Sequence, residues 1–318
     1  MVLSSRGQLG NKAPMANVAV EKQAGVPEDV AEQGVIGIRV AELGVWLDAL
    51  GTGLRLAAPT GYARFVQSPG SARPDDLQLA VRSETLPKGG PSGRRLALTE
   101  TWELWQDDTG RLVFVAPRQS PPRWVTVDPG FRSGEILGDF RAELGAPQYP
   151  LQLIDIKLHA NWLAERGDVM LHASGVAIDG RGYCFAAFSG IGKSTIAAAL
   201  ASDPSVTVLG EDQVVLRYLD GRFWIYGTPW HLNPAMCAPL GVPLEKLFLL
   251  DRSAPPGAAP CSPADGVTRL MQTAFVPYYR PAAVSAIMDR LALLAQQVPF
   301  RTLSYRLGTD PLPLVMYA

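Results

Sequence analysis

The stretch Tyr183-Cys184-Phe185-Ala186-Ala187-Phe188-Ser189-Gly190-Ile191-Gly192-Lys193-Ser194-Thr195-Ile196 constrains this chain more than any other. An apolar run that reads as a buried strand passes straight into a turn of small residues. The turn passes straight into an alanine-rich helix over 196–201. Gly190 and Gly192 let the backbone approach an anion with its N–H groups turned inward. Lys193 then neutralises phosphate charge, and the Ser194 hydroxyl is offered to a magnesium ion. The helix adds its positive N-terminal end to the same place. Ser189, Gly190, Ile191, Gly192, Lys193, Ser194 and Thr195 are therefore the expected nucleotide-binding residues. The strict pattern G-x-x-x-x-G-K-[ST] has Ala187 in place of its first glycine, while S-G-I-G-K-S-T is intact.

A nucleotide site built on such a turn needs carboxylates nearby. One holds the magnesium shell, and a second takes a proton from an attacking hydroxyl. Glu211 and Asp212 end a short apolar run at 206–209, with room for only one helix and a loop after Lys193. Both are candidate catalytic residues and, with Ser194, candidate magnesium ligands. His172 lies in the strand region before a tight turn at 179–182. That hairpin sets residues near 174 opposite residues near 187, which brings His172 toward the phosphate end. The loop Gly227-Thr228-Pro229-Trp230-His231 follows another hairpin, so Trp230 and His231 are candidate substrate-pocket residues. His159 falls inside a helical pattern and reads as structural. Arg280 and Arg301 read as surface charges.

The remaining chain divides by pattern. Residues 1–33 are mixed and polar and read as a disordered leader. Strands are expected over 35–41, 63–66 and 76–81, the last from strict alternation. Residues 42–60 fit either a strand or a helical turn. A hairpin joins 101–105 to 111–115 through Asp107-Asp108-Thr109-Gly110, and 123–127 adds a strand. Residues 34–130 thus read as a small antiparallel β domain, with Trp102, Trp105 and Trp124 as core aromatics. A connector of turns covers 131–150. The second domain, 151–318, opens with a helix over 151–166, where Leu151, Ile154, Leu158 and Trp162 share a face. A strand pair or one bent strand follows at 169–178. A hairpin joins 214–218 to 222–226, and 244–250 is a strand. Helices are expected over 262–271, with Ser262 as N-cap and proline at the first position, and over 281–297. A strand over 300–307 closes the chain.

Hydrophobic residues make up 47% and charged residues 19%, enough for a sizeable core. A net charge of −1 argues against an electrostatic nucleic-acid partner. Cys184, Cys237 and Cys261 are odd in number and widely spaced, which suits neither a disulfide framework nor a zinc site. That usage and the lack of a long apolar run give the expectation of a cytoplasmic protein without a membrane partner.

With these residues in view, 151–310 resembles the C-terminal domain of HPr kinase/phosphorylase and its wider relatives. The resemblance rests on His172 followed by Gly175-Val176, the hairpin, S-G-I-G-K-S at 189–194 and the acidic pair 211–212. The loop at 227–231 looks like a branch that includes kinases of lasso-peptide precursors, and 35–130 looks like the N-terminal part of that branch. The resemblance implies an α/β nucleotide-binding core similar to that of phosphoenolpyruvate carboxykinase. It also implies ATP and Mg2+ as cofactors, and phosphate transfer to a serine of a small peptide or protein. Lys193 would hold the phosphates and Ser194 the magnesium. Asp212 and Glu211 would divide the roles of base and metal partner, and His172 would match the active-site histidine. A homo-oligomer is a further expectation, since relatives often form one. Two features depart from the family pattern: Glu211 replaces an aspartate, and Thr-Pro-Trp-His replaces an Arg/Gly-rich motif. Kinase action on a free small molecule such as serine, or nucleotide binding by a non-catalytic peptide chaperone, are the alternatives.

Overall fold

The computed structural model describes residues 34–141, 144–188, 190–230, 233–306 and 308–318. The leader expected over 1–33, Ser189 and His231 lie outside these residues. These residues form a mixed α/β structure built on two nine-stranded sheets and a two-stranded one.

The first large sheet begins with β1 (Val35–Val40) and β2 (Leu43–Asp48). In chain order, β3 (Arg55–Leu56) follows β2, then a 3-10 helix (Thr60–Phe65) and β4 (Val66–Gln67). Next come β5 (Leu77–Ser83), β6 (Arg94–Leu98), β7 (Glu103–Gln106), β8 (Leu112–Ala116), β9 (Arg123–Val127), β10 (Ser133–Gly138) and β11 (Pro147–Gln148). Strand β5 alternates buried and exposed positions as its sequence does. The β7–β8 turn is held by Asp107, whose Oδ1 accepts from the backbone N–H groups of Thr109 and Arg111. Three expectations are corrected. The sheet is not purely antiparallel, because β5 pairs in parallel with both β2 and β10. The segment 131–150 is not only a connector, because β10 is the strand between β5 and β9. The strand expected over 63–66 is mostly the 3-10 helix, started by Pro59, whose carbonyl accepts from Tyr62 N–H at 2.8 Å.

The rest of the chain supplies the second large sheet and its helices. Helix α1 (Asp155–Glu165) starts later than the expected Leu151, since Leu153 takes a positive φ of 71°. Then come β12 (Val169–Leu171), β13 (Ala173–Ile178), β14 (Arg181–Ala186), α2 (Lys193–Leu200), β15 (Val206–Gly210), β16 (Val214–Leu219) and β17 (Arg222–Tyr226). The chain finishes with β18 (Gly241–Leu250), β19 (Gly257–Pro260), α3 (Pro263–Met271), α4 (Pro281–Gln297), β20 (Phe300–Ser304) and α5 (Leu312–Tyr317). The closing strand therefore stops at Ser304 rather than running through 307. Strand order is β12-β16-β17-β18-β14-β13-β15, with β20 beside β18 and β19 beside β20.

Strand β14 lies inside this sheet and is covered on both faces, which is why its sequence is continuously apolar. Tyr183 and Phe185 pack with Ile196 and Leu200 of α2. Cys184 and Ala186 pack on the other side with Leu270 of α3 and Ile287 and Leu291 of α4. Burial raises the Cys184 thiol to about 12, so it behaves as a small apolar core residue. A third cluster joins the two parts of the chain. It runs from Ile36, Leu77 and Phe114 of the first sheet to Leu158 and Trp162 of α1, then to Val215, Tyr226 and Trp230. The core is thus continuous across the boundary expected at residue 150.

Candidate functional site

Strand directions decide what meets at the end of β14. Strand β18 runs parallel to β14, and β20 runs parallel to β18. Strand β13 is antiparallel to β14, and β15 is antiparallel to β13. The end of β14 therefore lies beside the start of β13 and the ends of β15, β18 and β20. In order across this edge stand Glu211-Asp212, His172, the 187–193 turn, Asp251-Arg252 and Tyr305-Arg306. The crevice outside the carboxyl ends of strands is where open α/β sheets bind ligands.

The turn has the backbone that its glycines permit. Gly190 and Gly192 sit at φ of 82° and 111°, a region that other residues avoid. Gly192 precedes α2, and no side chain caps that helix. Its first-turn N–H groups thus have no intrahelical acceptor and can receive an anion. Lys193 is buried, and its Nζ donates to the carbonyl oxygens of Ala187 (2.9 Å) and Phe188 (3.3 Å). Burial pushes the Lys193 ammonium below its ordinary range, and the nearby Asp212 carboxylate opposes this. Ser194 is exposed, while Ile191 and Thr195 are half-buried.

His172 stands where the chain leaves β12, which pairs with β16, and enters β13, which pairs with β14. The 169–178 stretch is therefore a strand pair broken at His172. Its backbone N–H donates to Thr273 O at 2.8 Å. The hairpin register is tighter than expected: Ser174 faces Phe185. His172 still reaches the acidic pair, with Nδ1 at 3.1 Å from Asp212 Oδ1. The other oxygen of Asp212 accepts from Gln213 Nε2. The Ser174 hydroxyl, fully buried, donates to the backbone oxygen of Glu211. A register shift between β13 and β15 at Gly175/Val176 is the kind of irregularity that re-aims a strand end. Among the described residues the Glu211 carboxylate has no hydrogen-bond or ion-pair partner.

Trp230 is corrected. It does not wall an open pocket: it is buried, its Nε1 donates to Asp155 Oδ2 at 3.2 Å, and its ring meets His159 at 5.0 Å. Sequence reasoning missed the residues of the other wing. A cleft of about 500 Å³ is lined by Gly192, Thr195, Arg252, Tyr305 and Arg306 among others. A second of about 420 Å³ is lined by Ala187, Phe188, Arg252, Asp265 and Arg269. Arg252 borders both, and its Nη2 lies 3.5 Å from where a Cβ on Gly192 would be. The signal was present: Asp251-Arg252 ends a buried apolar strand just as Glu211-Asp212 does.

Among the described residues no three His, Cys, Asp or Glu side chains converge as a metal site. Magnesium at a nucleotide site takes only one or two carboxylates, with phosphate oxygens and water completing its shell. The exposed Ser194 hydroxyl and the unengaged Glu211 carboxylate fit an ion that arrives with a nucleotide.

No protein-family model matches the sequence, and no curated protein matches it. Among solved structures, the Hpr(Ser) kinase/phosphatase from Coxiella burnetii is similar over 46% of this chain and 85% of that one. The identity is 14% and the TM-score 0.28. No helix among the described residues is long and apolar enough to cross a membrane.

Proposed function

We propose that this chain is an ATP- and magnesium-dependent kinase that phosphorylates a hydroxyl, with a serine of a small peptide or protein as acceptor. One observation carries the reading: the glycine turn with Lys193 and the His172–Asp212 pair occupy neighbouring strand ends of one sheet. The turn and the start of α2 receive the phosphates. Lys193 leaves its backbone carbonyls for a phosphate oxygen, a better partner for an ammonium. Asp212, braced by His172, takes the proton of the attacking hydroxyl. The hydroxyl oxygen bonds to the γ-phosphorus as the bond to the β–γ bridging oxygen breaks, leaving ADP. Ser194 and Glu211 would hold the magnesium, which supplies charge neutralisation at the phosphates. The acceptor approaches on the side of Asp212. In-line transfer sets the leaving oxygen of ADP on the opposite side of the γ-phosphorus, and the nucleoside extends into the cleft beside Arg252, Tyr305 and Arg306.

The test is incubation with ATP, magnesium and candidate serine peptides, followed by intact-mass analysis for an added phosphate. Lys193→Ala is expected to abolish transfer, and retained transfer in that variant would sink the reading. Arg252→Ala is expected to raise KM for ATP about tenfold, the loss of one charged hydrogen bond of ~1.5 kcal/mol. Nucleotide binding with no transfer to any hydroxyl would instead leave a non-catalytic binder.

A further inference from the structure

Gln213 follows the acidic pair and is the first residue of neither a strand nor a helix, yet it is only 9% exposed. Its backbone is locked from two sides. The buried Thr228 hydroxyl donates to its carbonyl at 2.7 Å. Gly210 lies so close that a Cβ there would come within 2.5 Å of the same oxygen. Its side chain points at the site: Nε2 donates to Asp212 Oδ2, while Oε1 is buried without a partner. The amide cannot be turned over, because Oε1 would then face a carboxylate.

A side chain serving only to fill this space would not bury an unpaired acceptor, since an apolar one of the same shape avoids that cost. The donor is the part with a use. The pair it supports needs support: the side chains of His172 and Asp212 are 30% and 47% exposed. Ion pairs that open to water hold their geometry poorly.

We propose that Gln213 is a positioning residue that fixes the rotation of the Asp212 carboxylate and so keeps Oδ1 on the Nδ1–H of His172. It acts through Asp212 and touches no reacting atom. The inference deepens the kinase reading, but the geometry it concerns exists without nucleotide and is measured without it.

The measurement is nitrogen NMR of protein labelled at its histidines, at a pH where imidazoles are neutral, with the His172 signal assigned by its loss in His172→Asn. In the wild type His172 is expected as the Nδ1–H tautomer. Gln213→Met keeps the volume and removes the donor, so the population moves toward the Nε2–H form. Gln213→Glu has the same shape, sets a charged oxygen against Asp212, and moves it further. If the Met variant does not fold, the Glu variant carries the test alone. In parallel, phosphate release from MgATP, with water as acceptor, is expected to fall ten- to a hundredfold in kcat, about what a displaced catalytic group costs, with KM for ATP unchanged. A wild-type tautomer that is not Nδ1–H, or one unchanged in folded Gln213 variants, overturns the proposal. The expected tautomer changes in a protein that transfers phosphate from MgATP to no hydroxyl, water or serine, would leave the positioning role standing and remove the kinase.

Discussion

Asp155 and His159 stand one turn apart on α1 and titrate in opposite senses. Burial raises the Asp155 carboxyl to about 6, against the opposing hydrogen bonds from Tyr62, the Ile156 N–H and Trp230. Burial lowers the His159 imidazole to about 4, against the pull of the Asp155 backbone oxygen on its Nδ1. Ordinary values are near 3.9 and 6.5. The Asp155 contribution to stability is fully present below about pH 4 and is lost as pH rises through about 6. The His159 contribution is fully present above about pH 6.5 and is lost as pH falls through about 4. Each amounts to about 3 kcal/mol at ~1.4 kcal/mol per unit, so across this window they offset one another. In urea unfolding, Asp155→Asn is expected to lose stability as pH falls from 6.5 to 4. His159→Gln is expected to lose it as pH rises from 4 to 6. Parallel pH profiles for both variants and the wild type would refute the pairing. His159 was legible as structural from its place in a helical pattern. The convergence of Tyr62, Trp230 and Asp155 was not, because three distant segments have to fold before those groups meet.

The loop after β17 shows how one element places another. A Cβ on Gly227 would come within 2.0 Å of Ala238 O and 2.2 Å of Leu209 O, both backbone atoms that cannot swing aside. Gly227→Ala is therefore expected to cost roughly 1–3 kcal/mol, read as a lower denaturant midpoint. It also displaces Thr228, which anchors Gln213, so phosphate transfer should fall more than stability alone explains. At the N-terminus of α3, the Ser262 hydroxyl accepts from Asp265 N–H. Ser262→Ala should cost about 1 kcal/mol with no effect on transfer. Elements with strong local signals were legible: α4 runs over the expected 281–297, and α3 has the expected cap. Strand β10 was not. Its sequence SGEILG holds two glycines, and it exists because Gly134 leaves room for Thr126 O, 2.1 Å from where a Cβ would stand.

Across the whole molecule the two large sheets share both a core and a buried charge. Arg217 on β16 pairs with Asp168 at 2.8 Å and donates from Nη1 to Ala41 O in the β1–β2 turn at 2.8 Å. All of Arg217, Asp168 and Ala41 are buried. Burial raises the Asp168 carboxyl even with Arg217 beside it, so removing the guanidinium leaves a costly group behind. Arg217→Ala is expected to lose about 3–5 kcal/mol. Because the cluster from Ile36 to Trp230 is continuous, calorimetry should show one unfolding transition for the wild type. Two separate transitions would mean that the halves fold independently.

The sequence by itself determined the features that depend on neighbours along the chain. These are the strand–turn–helix at 183–200, the glycines whose backbone that turn requires, the hairpin turns and the capped helices. It also pointed to the residue types at the site, since a histidine and two carboxylates each close an apolar run and a lysine closes the glycine turn. Tertiary structure alone decided which of those ends come together. The parallel pairing of β18 with β14, and of β20 with β18, brings Arg252 and Tyr305 beside Gly192, and no local pattern encodes a parallel partner. The burial of Trp230 against Asp155 likewise depends on a helix and a 3-10 turn from elsewhere in the chain. The Lys193 turn could be read in advance because its geometry is written in six consecutive residues. Gln213 could not, because its use lies in a carboxylate on one side and a missing donor on the other.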